Sequence, residues 1–179
     1  RDMALQGNII PSSTTAAATI NQTFDGITAT GFAPSDNNLA VGPNHVIEII
    51  NHSSGSQFII WNKAGVVVQG PTVLTSLTGI AGAGDPVVMY DQIADRWILT
   101  EFAGASINTL VWAVSTTNNP TGTYKIYSYT FPYSADYPHY SVWHNAYYGI
   151  THDFQPSYVG SSIYAFDRAA MLAGAATAT

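Results

Sequence analysis

An all-β, propeller-like chain of about three four-stranded repeats is what the sequence predicts, and three observations predict it. The first is one stretch, Gly84 to Phe102, that reads as a hairpin. Asp85-Pro86 opens a strand, where a missing N–H is tolerated, and Val87 to Tyr90 is a short apolar run. Asp91 to Asp95 is a turn cluster, and Arg96 to Phe102 is β-branched and aromatic. The second observation is that this pattern returns. Asp36 leads through Leu39-Ala40-Val41 and a Gly42-Pro43-Asn44 turn to the run His45 to Ile50. Asp136 leads through Tyr137 to Val142 and a His144-Asn145 turn to the run Ala146 to Thr151. The three leading aspartates stand 49 and 51 residues apart, about the length of one propeller blade. The third is composition. Charged residues make 9 % and hydrophobic ones 46 %, with Thr, Ser, Asn and Gly filling the rest, which suits strands joined by tight turns.

The elements follow in order. Residues 1–35 are an N-terminal extension, with short strands expected at Leu5 to Ile10 and Ile20 to Phe24, one of them able to complete the last repeat. Pro11 to Ala18 reads as extended. The repeats are 36–84, 85–135 and 136–174. In the first, Gln57 to Trp61 and Val66 to Gln69 flank an Asn62-Lys63-Ala64-Gly65 turn, where glycine supplies a positive φ. In the second, Thr109 to Ser115 is a buried strand, and Thr123 to Tyr129 alternates as a half-exposed outer one. In the third, Ser162 to Phe166 is a strand. Asp167 then caps one or two helical turns that end at Gly174, and 175–179 is a tail without core-forming side chains. Propellers close with about four to eight blades, so three repeats leave a ring open. Either further blades of the same polypeptide or partner chains supply the rest, and an isolated monomer is not expected.

Function classes narrow from charge. The net charge is −6, with only five Lys and Arg, which leaves no basic face for nucleic acid or for an anionic membrane. No apolar run is long enough for a spanning helix. No cysteine exists to report a redox compartment, and low charge with abundant Thr, Asn and Ser points to a secreted or cell-surface protein.

Candidate chemistry begins with Asp36, Asp85 and Asp136. Opening the inner strand of each repeat, they approach a central channel from one end. There they form an acid–base set for glycan hydrolysis, or oxygen ligands for Ca²⁺, or plain caps for their own turns. Glu101 and Glu48 lie inside apolar strands at positions read as equivalent, and burial would suit such a group to proton donation. Tyr90, Trp97, Tyr137, His139 and Trp143 are candidate sugar-stacking or contact residues, with inter-repeat core as the competing role. His139, His144 and His152 crowd one repeat, but their spacing follows no zinc pattern.

Several of these residues resemble a known group. Asp36-Asn37-Asn38, Val41-Gly42-Pro43-Asn44-His45, Asp85-Pro86-Val87-Val88-x-Tyr90-Asp91 and Asp95-Arg96-Trp97 resemble secreted bacterial proteins with propeller-type repeats. So do Asp136-Tyr137-Pro138 and Ala165 to Leu172. The resemblance spans about residues 32–174 and implies a fold and an extracellular address rather than a reaction. The Asp-Pro, Tyr-Asp and Arg-Trp sequence also resembles blades of five-bladed glycoside hydrolases, which implies glycan hydrolysis if the chain is an enzyme. Two functions stand as expectations: carbohydrate binding or hydrolysis at the aspartate-lined channel, and a structural subunit that joins another protein chain in a surface assembly.

Overall fold

The computed structural model describes residues 19–178. The chain is all-β, in three antiparallel sheets that follow one another in sequence. The first sheet holds β1 (Asn38–Val41), β2 (His45–His52), β3 (Gly55–Asn62) and β4 (Val67–Val73). A short helix, α1 (Thr75–Thr78), leads to the second sheet of β5 (Gly82–Asp91), β6 (Arg96–Ala103), β7 (Thr109–Ser115) and β8 (Tyr124–Thr130). The third holds β9 (Ser134–Val142), β10 (Tyr147–Phe154) and β11 (Tyr158–Phe166), after which α2 (Arg168–Ala173) turns back. Local chemistry fixes the turns. The Asp91 carboxylate accepts the N–H groups of Ile93 and Ala94 at 2.9 and 3.0 Å and so folds the β5–β6 hairpin. The Asn62 side chain does the same for Ala64 and Val66, and Gly65 takes a φ of +79° there.

Two cores hold the sheets together. Ile47, Ile49, Phe58 and Ile60 of the first sheet meet Trp97 and Leu99 of the second. On the other side, Ile98, Phe102, Leu110 and Trp112 of the second sheet meet Tyr147 and Phe166 of the third. The second sheet is covered on both faces, so β6 and β7 are near-continuous apolar runs, while β8, β9 and β11 alternate. Truncating any of these large buried side chains to alanine costs about 2–5 kcal/mol in a core of this kind.

Three expectations change. The third repeat has three strands, not four. The residues after β11 form the expected helix: the Asp167 carboxylate accepts the Ala170 N–H at 2.9 Å, and Gly174, at φ +70°, stops it. That helix seals the second junction: Met171 is fully buried, and its carbonyl accepts the Tyr127 hydroxyl at 3.1 Å. Ala178, expected in a coreless tail, packs on the same core. Ile20 to Phe24 forms no strand. It lies over the first sheet, with the Phe24 ring 5.6 Å from that of Trp61. The expected features at Leu5 to Ile10 and Pro11 to Ala18 lie outside the described residues. No helix among the described residues is long and apolar enough to cross a membrane.

Candidate functional site

Each sheet begins with a left-handed step. Asp36, Asp85 and Tyr137 have φ of +44°, +52° and +53°. Aspartate tolerates that region because its short carboxylate bonds local backbone; a tyrosine there is strained. The ladders agree on the equivalence. Three residues after each step, Leu39, Val88 and Tyr140 pair with Glu48, Leu99 and Gly149. The backbone counterpart of Asp36 and Asp85 is therefore Tyr137, and Asp136 stands one residue earlier, its carboxylate accepting the Tyr137 N–H at 2.8 Å. The same ladders correct a second alignment. Glu48 corresponds to Leu99, so Glu48 and Glu101 are not equivalent.

Despite the offset, Asp36, Asp85 and Asp136 converge. They line one cavity of about 350 Å³ with Asn37, Asn38 and Tyr137. Burial first, then hydrogen bonding and charge from Asp136 and Asp36, pushes the Asp85 carboxyl up to about 6. Asn51, buried at the end of β2, organises the set. Its amide donates to Asp36 at 2.7 Å and to the Pro34 carbonyl at 3.1 Å, and its oxygen accepts the Asp85 N–H at 2.9 Å. A Cβ on Gly84 would come within 2.8 Å of that oxygen, and the residue adopts φ +97°, so glycine is required twice over. Asn38 adds a second tie, its side-chain oxygen accepting the Val88 N–H at 2.8 Å. Sequence reasoning passed over Asn51. The available signal was a polar amide closing the apolar run from Val46 to Ile50.

The other candidates disperse. Glu101 is fully buried between the first and second sheets and does not line this cavity. Its carboxylate rests against Gly55 and Gly82, where a Cβ would meet it at 2.6 and 2.1 Å. Among the described residues, neither carboxylate oxygen nor the adjoining Ser56 hydroxyl has a hydrogen-bond partner. Burial raises the carboxyl to about 7. Trp97 is core, wholly buried, with its indole N–H donated to the Asn118 carbonyl at 3.0 Å. It is no stacking platform. Tyr90 packs on Trp97 and bonds Asp95 at the hairpin end of the strands, away from the aspartates. Trp143 is exposed beside the β9–β10 hairpin, likewise at the far end. Tyr137 and His139 remain close to the mouth, edge to face at 4.5 Å, and both are exposed. Among the described residues no group of three or more His, Asp or Glu side chains is placed to hold a metal ion.

Asp91 and Arg168, two residues of the quoted resemblance, form the buried clasp of the second junction. The guanidinium donates to both Asp91 oxygens, at 2.7 and 3.1 Å, and the Tyr147 hydroxyl to one at 2.8 Å. Burial alone would raise the Asp91 carboxyl, but Arg168, the Ala94 N–H and Tyr147 outweigh it and hold the carboxyl below its ordinary range. The residues that carry the motif thus serve the fold. Compared with known proteins, the chain matches no family model and no curated sequence.

Proposed function

We propose that the chain is an extracellular protein of propeller-type repeats that binds carbohydrate at the mouth lined by Asp36, Asp85 and Asp136. The observation that carries this reading is their convergence, from three sheets, on one cavity of about 350 Å³. Carboxylates and the amides of Asn37 and Asn38 are acceptors and donors suited to sugar hydroxyls, and the exposed Tyr137 ring offers a stacking face. Asp36 and Asp136 lie near enough to Asp85 to help raise its carboxyl. The left-handed steps support the same reading, since strained backbone held in place by its surroundings tends to gather where a ligand binds. The low charge supports the extracellular address.

An oligosaccharide panel read by titration calorimetry tests it. The wild type should bind a member, and Asp85→Asn should weaken binding at least tenfold with the fold retained. No binding by the wild type, or equal binding by the variant, would sink the reading. A second reading, a structural subunit, is favoured by the outer face of the third sheet, which no described residue covers and where Ile163 is 77 % exposed.

A further inference from the structure

We propose that a linear chain of uncharged sugar units lies along a row of exposed rings on the outer face of the third sheet, starting from the aspartate-lined mouth. The row is Tyr137 and His139 of β9, His152 of β10 and Tyr158 of β11, all four exposed. The Tyr137 ring lies 4.5 Å from that of His139 and 5.4 Å from that of His152, and His152 reaches Tyr158 at 5.6 Å. Tyr137 also lines the cavity that holds Asp36, Asp85 and Asp136, so the row begins at that cavity. Adjacent strands run about 4.8 Å apart, so a row that crosses three of them is about 10 Å long, more than one sugar ring.

The backbone departs from regular pairing on both sides of His152. Towards β9, Ile150 and His152 pair with His139 and Asp136, which leaves two residues, Tyr137 and Pro138, opposite Thr151 alone. Towards β11, Asp153 and Phe154 pair with Gly160 and Tyr158, which leaves Val159 as an extra residue. Bulges of this kind re-aim the side chains beside them and are common next to binding sites. Here they stand beside the two tyrosines of the row. Tyr137 also takes the left-handed φ of +53°, which its surroundings must hold for so large a residue. Tyr158 is steadied by Phe154, with ring centroids 5.7 Å apart, and its hydroxyl lies 3.2 Å from that of Ser161. Rings held in place lose little freedom when a ligand settles on them. Tyrosine and histidine each carry an apolar face and a polar edge, which suits the apolar face and hydroxyl rim of a sugar ring. Three carboxyls at the head of the row, in a chain of net charge −6, work against an anionic ligand.

This rests on the carbohydrate reading of the mouth and extends it. Titration calorimetry with cello-, manno- and N-acetylchito-oligosaccharides of two to six units tests it, on the wild type, Tyr158→Ala and His152→Ala. Both side chains are exposed, so far-UV circular dichroism should not change. One series should bind the wild type, its six-unit member at least tenfold more tightly than its two-unit member. In either variant that ratio should shrink to about threefold or less. Oligogalacturonides, an anionic series, should bind at least tenfold more weakly than the neutral one, and equal binding would overturn the choice of an uncharged chain. No binding by any series would overturn this inference together with the reading of the mouth. Binding that does not depend on length, or a length dependence unchanged in both variants, would overturn the row and leave the mouth standing. Self-association in sedimentation velocity that Tyr158→Ala abolishes, with the length dependence intact, would assign the rings to a protein contact instead.

Discussion

Replacing Arg168 with methionine removes a guanidinium that is 8 % exposed and leaves the Asp91 carboxylate with no exposure at all. Asp91 keeps the Tyr147 hydroxyl and two backbone N–H groups, so its charge is not stripped of every partner. It loses the two charge-assisted bonds at 2.7 and 3.1 Å, and the His144 carbonyl loses its donor at 3.3 Å. Breaking a buried pair from one side costs about 3–5 kcal/mol, and the remaining donors place this site near the lower end, about 3 kcal/mol. For a chain of this size each kcal/mol moves Tm by about 2–4 °C, so Tm should fall by roughly 10 °C. Urea unfolding followed by the fluorescence of buried Trp97 and Trp112 measures the loss. Acid supplies a second check. The folded Asp91 carboxyl titrates below its ordinary value, so its contribution is present above the unfolded pKa and disappears as pH falls through the folded one. The gap between wild type and Arg168→Met should therefore narrow below about pH 4. A loss under about 1 kcal/mol at neutral pH, or a gap unchanged in acid, would refute the clasp as the tie between the second and third sheets.

Two further outcomes follow from the other buried polar groups. Glu101, raised to about 7, favours folding while protonated. Its contribution is complete below the unfolded value near 4.5 and is lost as pH rises to about 7, a span worth about 3 kcal/mol. Urea midpoints of Glu101→Gln should lack that decline, whereas Asp85→Asn should remove only the shallower part that Asp85 contributes in the same window; parallel pH profiles for wild type and Glu101→Gln would contradict the burial argument. Asn51→Ala leaves the Asp85 N–H without its acceptor and frees Asp36, so it should cost about 2 kcal/mol in urea titration and loosen ligand binding at the mouth; an unchanged midpoint would show that the amide does not tie the sheets.

The hairpins were legible because period-two alternation and turn residues are local signals. Asp91 to Asp95 closes by side-chain bonds to the N–H groups two and three residues on, and nothing distant is needed to see it. The convergence of Asp36, Asp85 and Asp136 was legible for a related reason: a repeat brings its leading residues to the same end of neighbouring sheets, even where one of them, Asp136, stands a residue before the true counterpart. The buried ties were not legible. Asp91 and Arg168 are 77 residues apart, Asn51 and Asp85 are 34 apart, and no periodicity links them. Trp97 and Trp143 look alike as letters, yet one is wholly buried and the other 62 % exposed, because the sheet holding Trp97 is covered on both faces.

The third sheet shows where repetition misleads. Counting aspartates aligns Asp136 with Asp85, but backbone strain and pairing align Tyr137. In a strand one residue of offset exchanges the two faces. Had Asp136 been the true counterpart, Tyr140 would have faced away from the second sheet and His139 towards it. The register observed sends Tyr140 onto Trp112, with ring centroids 5.1 Å apart, and leaves His139 exposed. The extra residue therefore does two things at once: it keeps an aromatic in the second core, and it moves the Asp136 carboxylate back to meet Asp85. Packing sets the register, and the aspartate cluster follows from it.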